Sequence, residues 1–360
     1  MNDLILYTIF AFAVLGCIDK IIGNKFELGA KFTEGFLAMG NLAIPVIGIY
    51  ALAPIIGDIL LKITFPFFQL TNIDPSILPA SIFAVNMGGY VSAVRMAQAT
   101  EMGVFSGIIL ASTLGATVGF TIPAGVEIIE KEDQIYFAKG ILAGVVTIPL
   151  GCIVGGVVLR IPTLILILNI LPIMLIALIF AIGLSRWPNK LLRGFTYFSK
   201  VTTTIGALGV ILSIFERISG LNLIAGLGSF DEGLRIVGSI TVVLCGAFPM
   251  IHVITKVFKN SLMRLGNKVG VGENAIIAML ISLSSNVPAF IMMKDMNIKG
   301  KVLLSAFMVS GAFTFGGQLG FVASVDKTAI IPFIVAKIIA GSSAIILAMI
   351  LMRESVEANI

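Results

Sequence analysis

Asp74-Pro75-Ser76-Ile77-Leu78-Pro79-Ala80-Ser81-Ile82-Phe83-Ala84-Val85-Asn86-Met87-Gly88-Gly89-Tyr90 and Asn274-Ala275-Ile276-Ile277-Ala278-Met279-Leu280-Ile281-Ser282-Leu283-Ser284-Ser285-Asn286-Val287-Pro288-Ala289-Phe290 decide the fold. In each, about eleven helix-forming residues run into a polar knot containing Gly or Pro, and a second apolar stretch follows. Eleven helical residues rise only ~16 Å, about half the hydrocarbon thickness of a bilayer. Irregular backbone at that depth is tolerated only where protein or a water-filled cavity covers it. Two such broken segments in corresponding places of a chain point to the binding site of a membrane transporter.

Composition places the chain in a membrane. It is 58% hydrophobic and 12% charged, with a mean hydropathy of +1.08. The polar stretches around 129–139, 185–194, 216–235 and 256–275 are too short to fold alone. The net charge of +5 is spread among loops, which suits topology signals facing an anionic leaflet and argues against a nucleic-acid surface. Cys17, Cys152 and Cys245 lie far apart in apolar runs and read as small buried hydrophobes. Val14-Leu15-Gly16-Cys17 mimics a lipoprotein cleavage site, but Met1-Asn2-Asp3 lacks a positive leader, so residues 4–22 read as a first span.

Eleven apolar segments can be marked, near 4–22, 35–60, 76–97, 102–126, 137–159, 162–184, 196–215, 236–255, 275–293, 301–323 and 329–352. If all cross, Lys and Arg divide almost evenly between the two sides. If the third and ninth are re-entrant hairpins, most basic residues gather on one side, as the positive-inside rule prefers. Lys337 then remains inside the last span. The chain is therefore expected to be an all-α polytopic membrane protein with about nine transmembrane helices plus two re-entrant hairpins, or eleven transmembrane helices if the hairpins span. The hairpin arrangement puts the N-terminus outside and the C-terminus inside. It divides the chain into a first helix and loop (1–34), a first repeat (35–159, broken segment 75–98), a connecting pair (160–235), a second, inverted repeat (236–352, broken segment 274–296) and a short tail (353–360). Each repeat has a first span with a central proline (Pro45, Pro249), a short amphipathic stretch, a broken segment, a Gly-rich span and an apolar span. Aligning 74–90 with 274–290 gives only Ile77/Ile277 and Asn86/Asn286 as identities, so the repeat is one of architecture.

The knots carry the candidate chemistry. Asn86 and Asn286 each offer two donors and an acceptor, flanked by helix ends that present free N–H and carbonyl groups. With Gly88, Gly89, Tyr90, Ser284, Ser285 and Phe290 they form the expected substrate site; the alternative is that both asparagines only cap half-helices. The spans that follow, Ser112-Thr113-Leu114-Gly115-Ala116-Thr117-Val118-Gly119 and Ser310-Gly311-Ala312-Phe313-Thr314-Phe315-Gly316-Gly317-Gln318, carry small residues for close helix packing. Packing does not explain Gln318, whose amide is costly to bury alone, so Gln318 and Thr314 join the site.

Other signals fall away. His252 is the only histidine, and it reads as interfacial; no catalytic group and no metal ligand set is expected. Asp19, Glu34 and Asp58 lie near span ends and read as solvated or paired, while Glu127, Glu130, Glu132 and Asp133 belong to a polar loop. Phosphate-loop and dinucleotide fingerprints are absent, so no cofactor is expected.

Phe32-Thr33-Glu34-Gly35-Phe36-Leu37-Ala38-Met39-Gly40, Tyr50-Ala51-Leu52-Ala53-Pro54, Asn86-Met87-Gly88-Gly89, Thr147-Ile148-Pro149-Leu150-Gly151-Cys152-Ile153-Val154-Gly155-Gly156 and Asn286-Val287-Pro288 resemble the ethanolamine utilization membrane protein family, from first span to last. The resemblance implies a bacterial inner-membrane, multi-pass permease for ethanolamine. The enteric pattern of that family has an acidic residue before Met-Gly-Gly, where this chain has Asn86, and Asp-His before Leu-Gly-Phe, where it has Gly317-Gln318. Carbonyl oxygens and aromatic faces would then replace carboxylates in holding an ammonium ion. The expected partners are a small ethanolamine-like amine and membrane lipid, with room for a homo-oligomer. The competing readings are a permease for another small polar solute, a non-transporting anchor for catabolic enzymes, which the short loops disfavour, and an intramembrane enzyme, which lacks a nucleophile–base pair.

Overall fold

The computed structural model describes residues 2–71 and 73–357. Among these every regular element is a helix, and eight helices are long and apolar enough to cross a membrane. They are α1 (Asn2–Ile21), α2 (Leu28–Thr71), α5 (Thr100–Ile128), α6 (Gln134–Val158), α7 (Thr163–Arg186), α8 (Pro188–Ser219), α9 (Phe230–Val269) and α14 (Ile330–Glu357). Short helices fill the gaps: α3 (Ile77–Ile82), α4 (Tyr90–Met96), α10 (Glu273–Ser282), α11 (Asn286–Met292), α12 (Ile298–Gly311) and α13 (Gly317–Val325). The chain is a multi-pass, all-α membrane protein.

The long helices α2 and α9 pack together at the centre. Gly35 lies so close to the backbone of Cys245 that an added Cβ would come within 2.7 Å of it. The amphipathic stretches expected after Pro45 and Pro249 prove to be continuations of these same helices. α2 has 44 residues, so it rises about 66 Å and its end must project beyond a hydrocarbon layer of about 30 Å. The turn from α1 into α2 is stapled by Asp19. It is only 2% exposed, and its carboxylate accepts from the amides of Phe26 and Gly29, both at 2.9 Å. Of the solvated and paired roles expected for Asp19, the structure shows a paired one, to the backbone, because the turn places Asn24 and Glu27 at positive φ and leaves backbone donors to satisfy.

Both broken segments are closed at their mouths. At the first, Asp74 accepts from its own turn at Ser76 N (2.9 Å) and from Gln98 N (3.0 Å). At the second, Asn274 Nδ2 donates to the carbonyl of Asp295 (3.2 Å), and Asn297 Nδ2 donates to that of Gly270 (3.1 Å). A helix crossing the membrane would separate such ends by about 30 Å; here entry and exit touch. Arg95, at the end of α4, forms a bidentate pair with Asp58 of α2 at 2.7 and 2.8 Å.

One expected span differs. Segment 301–323 is not continuous: α12 stops at Gly311, Phe313 takes φ 60°, and α13 restarts at Gly317. The residues responsible are Gly311, Gly316 and Gly317, which the sequence presents equally well as packing glycines. Its counterpart α5 stays helical but widens to longer-range hydrogen bonding over Phe105–Gly115 and Thr117–Thr121. Every residue from Phe105 to Gly115 is buried, so α5 is an internal helix.

Candidate functional site

The first knot is a sharp turn at Val85–Gly89. Met87 leaves helical geometry (φ −122°, ψ 52°) and Gly88 takes φ 85°, which only glycine adopts without strain. The amides of Met87 and Gly89 both close onto Ala84 O, at 2.9 and 3.0 Å. Asn86 makes no hydrogen bond of its own in the described chain, so it does not cap; it is turned into a cavity.

The second knot is organised by the break in the neighbouring span. Phe313 N donates to Ser282 O at 2.9 Å and Phe315 N to Leu283 O at 2.8 Å, so two interrupted backbones satisfy each other as strands do. Gly316 is required there, because a Cβ would collide with the carbonyl oxygen of Ser284. Gly115 of α5 stands in the same relation to the carbonyl of Phe83 at the first knot, one residue ahead of Ala84. Each knot is therefore backed by a glycine from the span that follows it.

Between the knots lies a cavity of about 470 Å³. Asn86 and Met87 enter from the first knot, Ser284 and Ser285 from the second, and Gln318 from the start of α13. Glu34 and Asn41 come from α2, and Phe120, Phe248 and Phe313 give aromatic walls. Phe120 and Phe313 meet edge to face with centroids 5.5 Å apart. Glu34 is half exposed and is paired at 2.7 Å with Lys31 one turn earlier, so the cavity carries a carboxylate at an accessible edge.

Of the residues expected at the site, Asn86, Ser284, Ser285 and Gln318 line this cavity. The others stand behind its wall. Asn286 is fully buried; its Nδ2 donates to Thr121 Oγ1 at 3.2 Å and its Oδ1 has no partner. Thr314 bonds back to Gly311 O at 2.6 Å and closes the end of α12. Tyr90 packs edge to face on Phe321 at 5.7 Å, and Phe290 on Phe137 at 5.8 Å. Gly88 and Gly89 shape the turn; a Cβ on Gly88 would strike Ile49 at 2.5 Å. The knots differ because Asn286 begins α11 and points back at α5, whereas Asn86 sits in the turn itself.

Sequence reasoning missed two groups. Glu34, Ala38, Asn41, Leu42 and Pro45 recur at helical spacing and share the cavity-facing side of α2, a pattern visible in the sequence once α2 is known to pass the knots. Lys337 is 1% exposed. Its Nζ donates to Ser112 O at 2.7 Å and to Gln318 Oε1 at 2.8 Å, and lies 5.4 Å from the centre of the Phe333 ring. This lysine satisfies the carbonyl oxygen of the Gln318 amide.

The sequence profile of the EutH, ethanolamine utilisation protein, family matches residues 1–351. The chain belongs to the EutH family. Relatives include the "Probable ethanolamine permease EutH" of Listeria monocytogenes, 40% identical over 100% of this chain and 96% of the relative. The protein of the same name in Salmonella typhimurium is 33% identical, over 100% of this chain and 98% of the relative. The "Uncharacterized protein YxeR" of Bacillus subtilis is 38% identical, over 96% and 93%. No solved structure matches the chain significantly. In this EutH chain, among the described residues, no cluster of three or more His, Cys, Asp or Glu stands in metal-binding arrangement.

Proposed function

We propose that this EutH-family protein is a permease of the bacterial cytoplasmic membrane that carries a small primary amine, ethanolamine, as its ammonium form. The observation that carries this reading is the shared cavity: both broken segments and the broken span deliver polar groups to one partly open space. A small alkylammonium needs three acceptors for its N–H groups and a partner for its hydroxyl. Glu34, Asn41 and Asn86 supply oxygen acceptors along one side, and Ser284, Ser285 and Gln318 supply hydroxyl and amide groups on the other. The aromatic faces of Phe120, Phe248 and Phe313 favour a cation over a neutral solute. Glu34 takes the part for which no acidic residue is present at position 86.

Two hairpins closed at their mouths, each backed by a glycine of the next span, support two inverted repeats over 35–159 and 236–352. In such an arrangement the repeats enter the membrane from opposite sides, and rocking of one against the other exposes the cavity alternately. Under this reading the N-terminus lies outside and the C-terminus inside.

Uptake of radiolabelled ethanolamine into proteoliposomes tests the reading. At acidic pH, where free amine is scarce, the protein should accelerate uptake well above that of empty liposomes, and Asn86→Ala should reduce it. Uptake equal to that of empty liposomes would reject the permease reading.

A further inference from the structure

Lys337 stands deep in α14, and no carboxylate among the described residues pairs with it; its partners are two carbonyl oxygens and a phenyl ring. The charged residues of the elements packed around it lie toward helix ends: Lys139 on α6, Glu101 and Glu127 on α5, and Lys299 and Lys301 on α12, the last held by Asp133. α13 has no titratable group. The nearby titratable side chain is the buried thiol of Cys152 on α6, which lies 3.9 Å from Thr113 Oγ1 beside Ser112.

A lysine so placed has lost its water without gaining a carboxylate counter-ion among the described residues. The surroundings accept both forms. A neutral amine has two N–H donors, matched here by Ser112 O and Gln318 Oε1; the ammonium has a third, which the Phe333 face can receive. Gln318 touches both compartments, since its carbonyl oxygen holds Lys337 while the residue lines the cavity. A cation in the cavity and a second positive charge just behind the wall repel each other strongly in so apolar a setting.

We propose that Lys337 is a proton-exchange residue, linked through Gln318 to the cavity, so that binding of an ammonium substrate expels the proton of Lys337. This rests on the permease reading. In the step, an N–H bond of the Lys337 ammonium breaks, the electron pair stays on Nζ, and the proton passes to water. When the substrate leaves on the other side, Nζ takes a proton from that side. Net inward movement of one substrate cation is then balanced by one proton moving out.

The experiment uses the full-length protein in proteoliposomes, with labelled ethanolamine and a pH-sensitive dye on the side from which substrate is supplied. Between about pH 5.5 and 8 a primary amine is mostly ammonium, but its small neutral fraction rises about tenfold per pH unit whatever the protein does, so Lys337→Met is the control that assigns any pH dependence and proton movement to Lys337. Wild-type affinity should rise about tenfold per pH unit while Lys337 is protonated in the empty protein, and uptake should acidify the supply side. Lys337→Met should still bind ethanolamine, with a flat pH profile and no proton movement. Lys337→Arg, charged throughout, should bind weakly at every pH. Lys337→Met that keeps the wild-type profile would overturn the proposal. Should that variant not insert, the wild type alone decides: ethanolamine uptake without proton movement overturns the proposal while leaving the permease reading intact. No ethanolamine uptake at all would overturn the permease reading itself, and this inference with it.

Discussion

Asp74 is the latch of the first hairpin, and its removal should loosen the hairpin without touching the cavity. The side chain is 5% exposed, and its two carboxylate oxygens accept from Ser76 N at 2.9 Å and Gln98 N at 3.0 Å. Its backbone amide separately donates to Asn169 Oδ1 on α7 at 2.8 Å, a bond that substitution leaves in place. Asp74→Ala therefore orphans two backbone donors at once. A buried donor left unpaired costs about 1–3 kcal/mol. Ser76 is fully buried but Gln98 is exposed, so water can reach the latter and adds little to the loss, and the sum comes to about 1–4 kcal/mol. Asp74→Asn keeps one acceptor oxygen and should lose about half as much. Reversible unfolding in mixed micelles measures the difference, and thiol labelling of a cysteine at position 98 should speed up in the alanine variant. A change below about 0.5 kcal/mol with unaltered labelling would refute the latch, since ordinary surface substitutions fall in that range.

The cavity gives the remaining predictions. Asn86→Ala removes a lining acceptor and should weaken ethanolamine binding about 5- to 150-fold, read as the half-saturation of uptake. Asn286→Ala, behind the wall, should act instead on stability by breaking its bond to Thr121. Asn86→Asp should strengthen binding of an ammonium, and impaired uptake in that variant would point to a neutral or anionic solute. Gly316→Ala forces a Cβ into Ser284 O and should break the paired backbones of the second knot, at about 1–3 kcal/mol or more of unfolding free energy. Cysteines placed at Lys62 and Arg95, in a protein lacking Cys17, Cys152 and Cys245, should label from the same face of the membrane. Labelling from opposite faces would remove the hairpin and with it the inversion.

Much of the architecture was legible because the membrane imposes it. Apolar length alone marks α1, α6, α7, α8 and α14, since a span must be long and uncharged. The knots at 86 and 286 announce themselves because a polar, Gly- or Pro-containing interruption is costly in lipid and persists only where the chain covers it. The identity of the family was likewise written in short motifs. The sequence could not distinguish the glycines of α12–α13, which break a span, from those of α5, which only pack, because a missing Cβ permits both uses. Nor could it tell that Asn86 faces the cavity while Asn286 faces Thr121, since a shift of one position relative to a turn rotates a side chain away. Glu34 reads as a solvated or paired end residue until α2 is laid beside both knots, and Lys337 reads as an anomaly until Gln318 and Ser112 are brought to it from two other helices. Local chemistry determined where the chain must break; which broken ends meet was decided only by packing, because the bonds that satisfy them come from residues far away in the sequence.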